Sequence, residues 1–483
     1  MKNKSINYFK SILVLFVVLF TSISCERELS DDKSPLEFSS VGEIFTDDFV
    51  GLGSNFYFPY GDSKFTAFSV DRTEGYNSNA SILIDVPNAV DPLGNYAGGI
   101  FRIDGDGRKL SKYDALTFWA KSSQGVIVGE FGFGEDFFPN KYITTIRNVS
   151  VGTAWTKYVI PIPDAAKLIQ ERGMFRFAAG TQGTNGLGYK LWIDELKFEK
   201  LGTIAHPRPA ISNGVSRTVN SFIGVTIQIA DLKETFNLEN GTDIDVFPAV
   251  GYYAFRSSNP NVATVNANGQ ISIVNSGVTE ITGNIGGTLD PVTNEFIGGI
   301  DSVDSITINS LGQFSLAPVP TRNPNNVLSV FSDAYTNVPV TYYNGFWTPG
   351  STTGSADFSV NGDNILNYIN FNYVGTAFTN PTLDATTMTH VHFNMYVPSP
   401  KPANFDFLIS IEDWGPNQID NGGDDTRQQI FVNTNQVPAD TWITIEAPLL
   451  LANRNNIGLI IYENINGSSL RNFYIDNVYF FKN

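Results

Sequence analysis

The sequence predicts an all-β protein built of consecutive β-sandwiches, and three observations carry that expectation. Short runs of β-branched and aromatic residues recur along the chain, broken by Gly, Asn, Asp and Pro, the punctuation of sandwich strands and turns. A helical period is sustained almost nowhere, Asp164–Arg172 (DAAKLIQER) being the best short-helix candidate. Aromatic residues make up 13% of the chain, with 37 Phe, 20 Tyr and 6 Trp, and rings in this number fill sandwich interiors efficiently.

Residues 1–25 come first and set the compartment. Lys2, Lys4 and Lys10 give a positive start, and the apolar run Ser11–Phe20 is shorter than the roughly 20 residues that span a bilayer. Ser22-Ile23-Ser24-Cys25 closes it with the only cysteine of the chain. The pattern resembles the lipobox of bacterial lipoproteins, with Ser before the cysteine. That resemblance implies cleavage ahead of Cys25, acylation of its sulfur, and no thiol left for a disulfide. Residues 26–40 are polar and acidic and read as a flexible tether. Within them Ser30-Asp31-Asp32 resembles the acidic export signal of Bacteroidota lipoproteins, which implies an outer-membrane protein exposed at the cell surface.

The net charge is −17 although only 16% of residues are charged, so the surface is acidic and largely neutral-polar. Such a field repels nucleic acid and other polyanions and leaves neutral polymers as partners.

An internal repeat organises the rest. Phe45-Thr46-Asp47 returns as Phe331-Ser332-Asp333, and Leu116–Ala120 (LTFWA) as Val391–Met395 (VHFNM). Ala154–Val159 returns as Thr441–Glu446, and Trp192–Phe198 (WIDELKF) as Tyr474–Phe480 (YIDNVYF). Each echo lies roughly 280 residues downstream, in the same order. Two copies of one fold are therefore expected, over 41–202 and 311–483. In the closing element Ile, Leu and Phe should line one face and Asp194 the other, which suits a jelly roll. The copies resemble the jelly-roll carbohydrate-binding modules attached to family 16 β-glucanases and laminarinases of marine Bacteroidota. The C-terminal copy carries the resemblance over most of 317–483, on Val330–Tyr335, Met388–Phe393 and the Tyr-Ile-Asp-Asn ending.

Between the copies, 203–310 contains Phe255–Val265 (FRSSNPNVATV), Asn268-Gly269-Gln270-Ile271 and Gly277–Thr282. This segment resembles a bacterial Ig-like domain of group 2, with Phe255 and Arg256 in place of the usual Trp and Ser. The Asn-Pro turn and the alternation after it suit a half-buried hairpin, and a spacer is the expected role.

Catalysis is not expected. A glycosidase needs two carboxylates across the scissile bond, and the E-x-D-x-x-E string of family 16 enzymes is absent. The clusters Glu130–Asp136 and Glu412-Asp413 read as loop acids or calcium ligands. Of three histidines, His390 and His392 share a strand face and read as a packed pair rather than a metal site.

Sugar binding requires exposed flat rings beside amides and carboxylates. Trp347, in a Gly- and Pro-bounded segment that also holds Tyr343, and Trp414, in a polar turn, are the stacking candidates. Tyr57 and Tyr60 are their counterparts in the N-terminal copy. Trp119, Trp155, Trp192 and Trp442 sit in strand patterns and are expected to be structural. The resemblance implies one structural Ca²⁺ per jelly roll, held by Asp47 with Asp194 and by Asp333 with Asp476; capping of turns by these residues is the alternative.

Taken together, the resemblance implies a surface glycan-binding lipoprotein of a polysaccharide-utilisation system. It would hold a neutral glucan, with β-1,3-glucan (laminarin) favoured, and work beside a glycan importer. The alternatives are a calcium-dependent structural or adhesion protein and a glycosidase with an unrecognised site.

Overall fold

A computed structural model describes residues 37–345, 347 and 350–483. The expected signal segment, Cys25 and most of the tether lie outside the described residues. The chain is all-β: the only helical elements described are single 3₁₀ turns at Ala165–Lys167, Val250–Tyr252 and Pro324–Asn326. The short-helix candidate at 164–172 thus yields one turn, capped where Asp164 accepts the Ala166 N–H. Among the described residues no helix is long and apolar enough to cross a membrane.

The N-terminal and C-terminal sandwiches share one topology. In the first, strands run in the order Phe68–Asp71, Ser81–Val86, Tyr189–Glu199, Ala115–Ser122, Thr156–Pro161, with Glu43–Phe45 also pairing the closing strand. In the other, Gly354–Val360, Asp363–Ile369, Asn472–Phe481, His390–Tyr396 and Ile443–Pro448 repeat that order, and Val327–Phe331 takes the place of Glu43–Phe45. Each copy closes with a second, facing sheet. Side chains on the inner faces, such as Phe101, Phe118, Phe131 and Leu191 in one copy, and Phe393, Ile409, Tyr462 and Ile475 in the other, form the cores.

The closing strands depart from strict alternation in the same place. Leu191 and Ile193 point inward, and so do Leu196 and Phe198, which requires one extra residue between the pairs. Glu195 supplies it with φ +49, and Asn477 does the same in the second copy, also with φ +49. The preceding acid steadies each bulge: Asp194 Oδ1 accepts the Glu195 N–H at 2.7 Å and Asp476 Oδ1 the Asn477 N–H at 2.6 Å. The repeated Asp is therefore explained locally, as the acceptor that a bulged backbone needs.

The middle segment docks on both neighbours. Its strands Ala205–Ala210, Lys233–Asn237 and Asp243–Pro248 extend the facing sheet of the first sandwich to eight strands, through the pairs Phe247↔Thr145 and Pro248↔Thr144. Its remaining strands form a five-stranded, a three-stranded and a two-stranded sheet. At the other end the last strand of the segment, Ile306–Gln313, runs past the expected boundary at 310, and Phe314 after it enters an aromatic socket of the C-terminal sandwich, 5.4 Å from Phe358, 5.0 Å from Tyr396 and 5.2 Å from Tyr474 (ring centroids). Trp442 closes this socket and donates its indole N–H to the Ser315 carbonyl at 2.5 Å. Its structural role is thus at a joint, outside the sandwich core.

Candidate functional site

The facing sheet of the C-terminal sandwich runs Tyr342–Gly345, Tyr373–Ala377, Ile457–Ile465, Asp406–Asp413, Thr426–Asn433. Because side chains alternate, Val374, Ile460, Tyr462 and Ile409 go to the core and their neighbours to the outer face. Register arranges those neighbours in three rows across the sheet. Ala377, Leu459, Glu412 and Arg427 form one; Gly375, Ile461, Ser410 and Gln429 the next; Tyr373, Glu463, Leu408 and Phe431 the third. The result is an apolar floor bordered by amide, carboxylate and guanidinium groups.

Trp347 lies on this floor, half-buried. A Cβ at Gly375 would come within 2.2 Å of the indole Cη2, so only glycine lets the ring lie there. The Tyr373 ring runs nearly parallel to it, at 6.1 Å and 14°, and the Tyr373 hydroxyl donates to the Trp347 carbonyl at 2.6 Å. Tyr342, 36% exposed, and Phe431, 63% exposed, stand on the two edge strands. Both sequence-predicted tryptophans belong to one small cluster with Ala377, Leu459 and Ile461.

Their roles differ, however. Trp414 is only 7% exposed; its ring covers Gly458, where a Cβ would meet Cε2 at 2.1 Å. Its indole N–H is buried without a partner among the described residues. Trp414 is thus a support under the face and offers no ring to a ligand, because the turn after Asp413 folds back over the sheet. That turn is held where Asp413 accepts the Gly415 and Asn456 N–H groups. Tyr343 is also corrected. Strand alternation points it away from Tyr342, onto Phe331 at 5.3 Å, with its hydroxyl on the Val330 carbonyl and its pKa raised by burial.

In the N-terminal copy Tyr57 packs inward, 4.7 Å from Phe68 and 5.3 Å from Phe101, and burial pushes its hydroxyl up to about 12. Its hydroxyl is buried, so the ring belongs to the inner face and not to the outer one. Tyr60 is on the outer face, but its hydroxyl donates to Glu135 at 2.5 Å and accepts from Arg176 at 3.1 Å. Burial raises its pKa first, with Glu135 adding to the rise and Arg176 opposing it.

The acidic clusters are committed to partners. Glu130 and Glu135 pair with Arg176 at 3.0 and 2.7 Å, Asp136 with Arg102 at 2.5 Å, and Glu412 with Arg427. His392 stacks on Tyr479 at 4.4 Å and bonds to Glu446, while His390 lies on Phe481 at 5.1 Å, so the pair is packed.

Of the expected calcium ligands, Asp47 and Asp194 take separate partners, whereas Asp333, Asp363 and Asp476 lie close enough that Asp333 and Asp363 both raise the pKa of Asp476. Asp47 is exposed, and only its carbonyl is used, by Arg72 at 3.0 Å. Asp194 is buried and accepts Tyr76 N–H at 2.7 Å and Ser78 Oγ–H at 3.2 Å besides the bulge amide. Asp333 accepts the backbone and side-chain N–H groups of Asn364 at 2.5 and 2.9 Å. Asp476 is pushed up to about 7, mainly by burial, with the Asn477 amide opposing and Asp363 and Asp333 adding. Among the described residues no three His, Cys, Asp or Glu side chains are arranged to hold a metal ion. The capping role accounts for the backbone N–H groups that Asp194 and Asp476 accept.

Sequence reasoning missed Tyr342, Tyr373, Phe431 and the apolar pair Leu459 and Ile461. That the chain runs in short strands was legible; where these strands lie and which parity faces outward was not.

No protein-family model matches the chain, and no curated protein matches it. Among solved structures it is similar to a family 30 carbohydrate-binding module, with 20% identity over 33% of this chain and 87% of that one, TM-score 0.24. A family 11 module of a cellulosomal cellulase of Clostridium thermocellum has 16% identity over 32% of this chain and 95% of that one, TM-score 0.24. The tandem CBM22 domains of Paenibacillus barcinonensis Xyn10C cover 93% of this chain and all of their own, with 10% identity and TM-score 0.23. These are distant likenesses, and the site's own geometry carries the reading that follows.

Proposed function

We propose that the chain binds a neutral polysaccharide, without cleaving it, on the outer face of the C-terminal sandwich. The observation that carries this is the near-parallel pair Trp347 and Tyr373 laid on a glycine floor. Flat rings of this kind cover the apolar face of a pyranose, and Tyr342 and Phe431 extend the contact to both edges. Glu463, Gln429, Glu412 and Arg427 border the floor and suit sugar hydroxyls, while the net charge of −17 opposes polyanionic glycans. The acids of this face are tied to Arg427 or to neighbouring polar groups, which favours holding over hydrolysis.

The finer reading is β-1,3-glucan, as in laminarin, supported by the resemblance of residues 317–483. Cys25 would anchor the chain in the outer membrane, at the cell surface, where capture would feed an importer. Retention in a native gel containing laminarin tests the site: Trp347→Ala and Tyr373→Ala should each be retarded clearly less than the native chain. Unchanged retention in both, with the fold intact, would falsify the placement. Labelling of cells with radioactive palmitate, lost in Cys25→Ala, tests the anchor.

A further inference from the structure

The two copies use one sheet face in different ways. In the C-terminal copy Tyr474 pairs Tyr396 across the sheet, and with Trp442 these rings form the socket filled by Phe314 of the middle segment. The same register in the N-terminal copy pairs Trp192 with Lys121, and Trp155 stands just before its strand as Trp442 does. Sequence logic made Trp119, Trp155 and Trp192 structural. All three are half-buried on the outer face, apart from the core cluster, and no domain docks on them among the described residues.

This face is built. Tyr76 lies flat on Trp119, with centroids 3.8 Å apart and an angle of 12°, and Trp155 meets it as a wall at 6.1 Å and 64°. The loop carrying Tyr76 is pinned by the buried Asp194, which takes its N–H at 2.7 Å. Lys121 sits 5.5 Å from the Trp155 ring and 5.1 Å from the Trp192 ring, and pairs with Glu74 at 2.8 Å. The Trp192 indole N–H is fixed on Asp71 at 3.0 Å.

Charge decides what such a corner accepts. The C-terminal socket is lined by aromatic rings and closes on Phe314. Here a lysine occupies the Tyr396 position and carries an ion pair, which an apolar protein plug would strip of water at a cost. A pyranose brings hydroxyls to the Lys121–Glu74 pair while its apolar face covers the rings. We propose that Tyr76, Trp155 and Trp192 form a second binding surface, for a neutral pyranose glycan, on the opposite kind of sheet from the C-terminal ledge. This deepens the glycan-binding reading without needing the C-terminal ledge to be correct.

The test uses the full chain carrying Trp347→Ala and Tyr373→Ala, titrated with laminarin, barley mixed-linkage β-glucan and xyloglucan. Calorimetry and tryptophan emission are followed together. Saturable binding to at least one glucan should remain, with a shift in emission. Adding Tyr76→Ala or Trp155→Ala should weaken it about tenfold or more, and Trp155→Phe should weaken it less. Unfolding temperature, measured for every variant, separates lost contact from lost fold. If the native chain binds and the ledge-deficient chain gives neither heat nor an emission shift, the second surface is overturned and the first stands. If the ledge-deficient chain binds as the native one does and Tyr76→Ala removes it, the second surface stands and the first falls. Failure of the native chain with all three glucans sinks both.

Discussion

Gly375 and Gly458 decide what the two C-terminal tryptophans can do. Each leaves room for an indole to lie against the sheet, and adding even one methyl group would collide with the ring. Gly375→Ala should therefore lift Trp347 and weaken laminarin retention, with little change in unfolding temperature. Trp414→Ala should act the other way: it removes a buried ring and costs roughly 3–5 kcal/mol of stability. A thermal melt of the variant beside a retention gel separates the two effects. Both tryptophans were legible in the sequence as residues of polar, Gly-bounded segments, and both do reach the same sheet face. Their exposure was not legible, because it depends on the glycine beneath and on how the Asp413 turn folds back. Tyr343 failed for a simpler reason: adjacent tyrosines in a strand point opposite ways, and sequence alone does not say which is outside.

At the scale of the element, the closing strands carry the instructive case. The repeated Ile-Asp pattern was readable, and the resemblance implied calcium there, with turn capping as the alternative. The structure uses the acid to accept the amide of a bulge residue in both copies, a role that needs no metal, and on that role alone a chelator should leave the unfolding temperature unchanged. A drop of several degrees restored by Ca²⁺ would establish the metal. Three buried carboxyls also couple stability to pH. Asp476 and Glu171 are pushed up to about 7 and Glu234 to about 8, burial being the main cause for each. Unfolded, they titrate near ~4. Between those values the folded chain holds protons that the unfolded chain has released, so stability falls as pH rises from about 4 to about 8. The unfolding temperature should decline across that window, and Asp476→Asn, which keeps an oxygen for the Asn477 amide, should flatten part of the decline.

The whole molecule is more continuous than three beads on a string. Composition, turn spacing and the internal repeat made the sandwiches readable. The joints were not, because Phe247 pairing with Thr145 and Phe314 entering an aromatic socket are contacts between distant stretches with no local signature. Phe314→Ala should cost about 3 kcal/mol at the socket. The C-terminal sandwich should then melt separately from the rest, visible as a second calorimetric transition that the native chain lacks.

The docked middle segment has a consequence for polymer length. If both proposed glycan faces bind, docking of the segment on its two neighbours would hold them apart, and their spacing would behave as a ruler. Fragments too small to bridge it would gain only one-patch affinity, and strength should jump once a strand is long enough to reach both. Loosening the Phe314 joint would blur that threshold into a gradual rise.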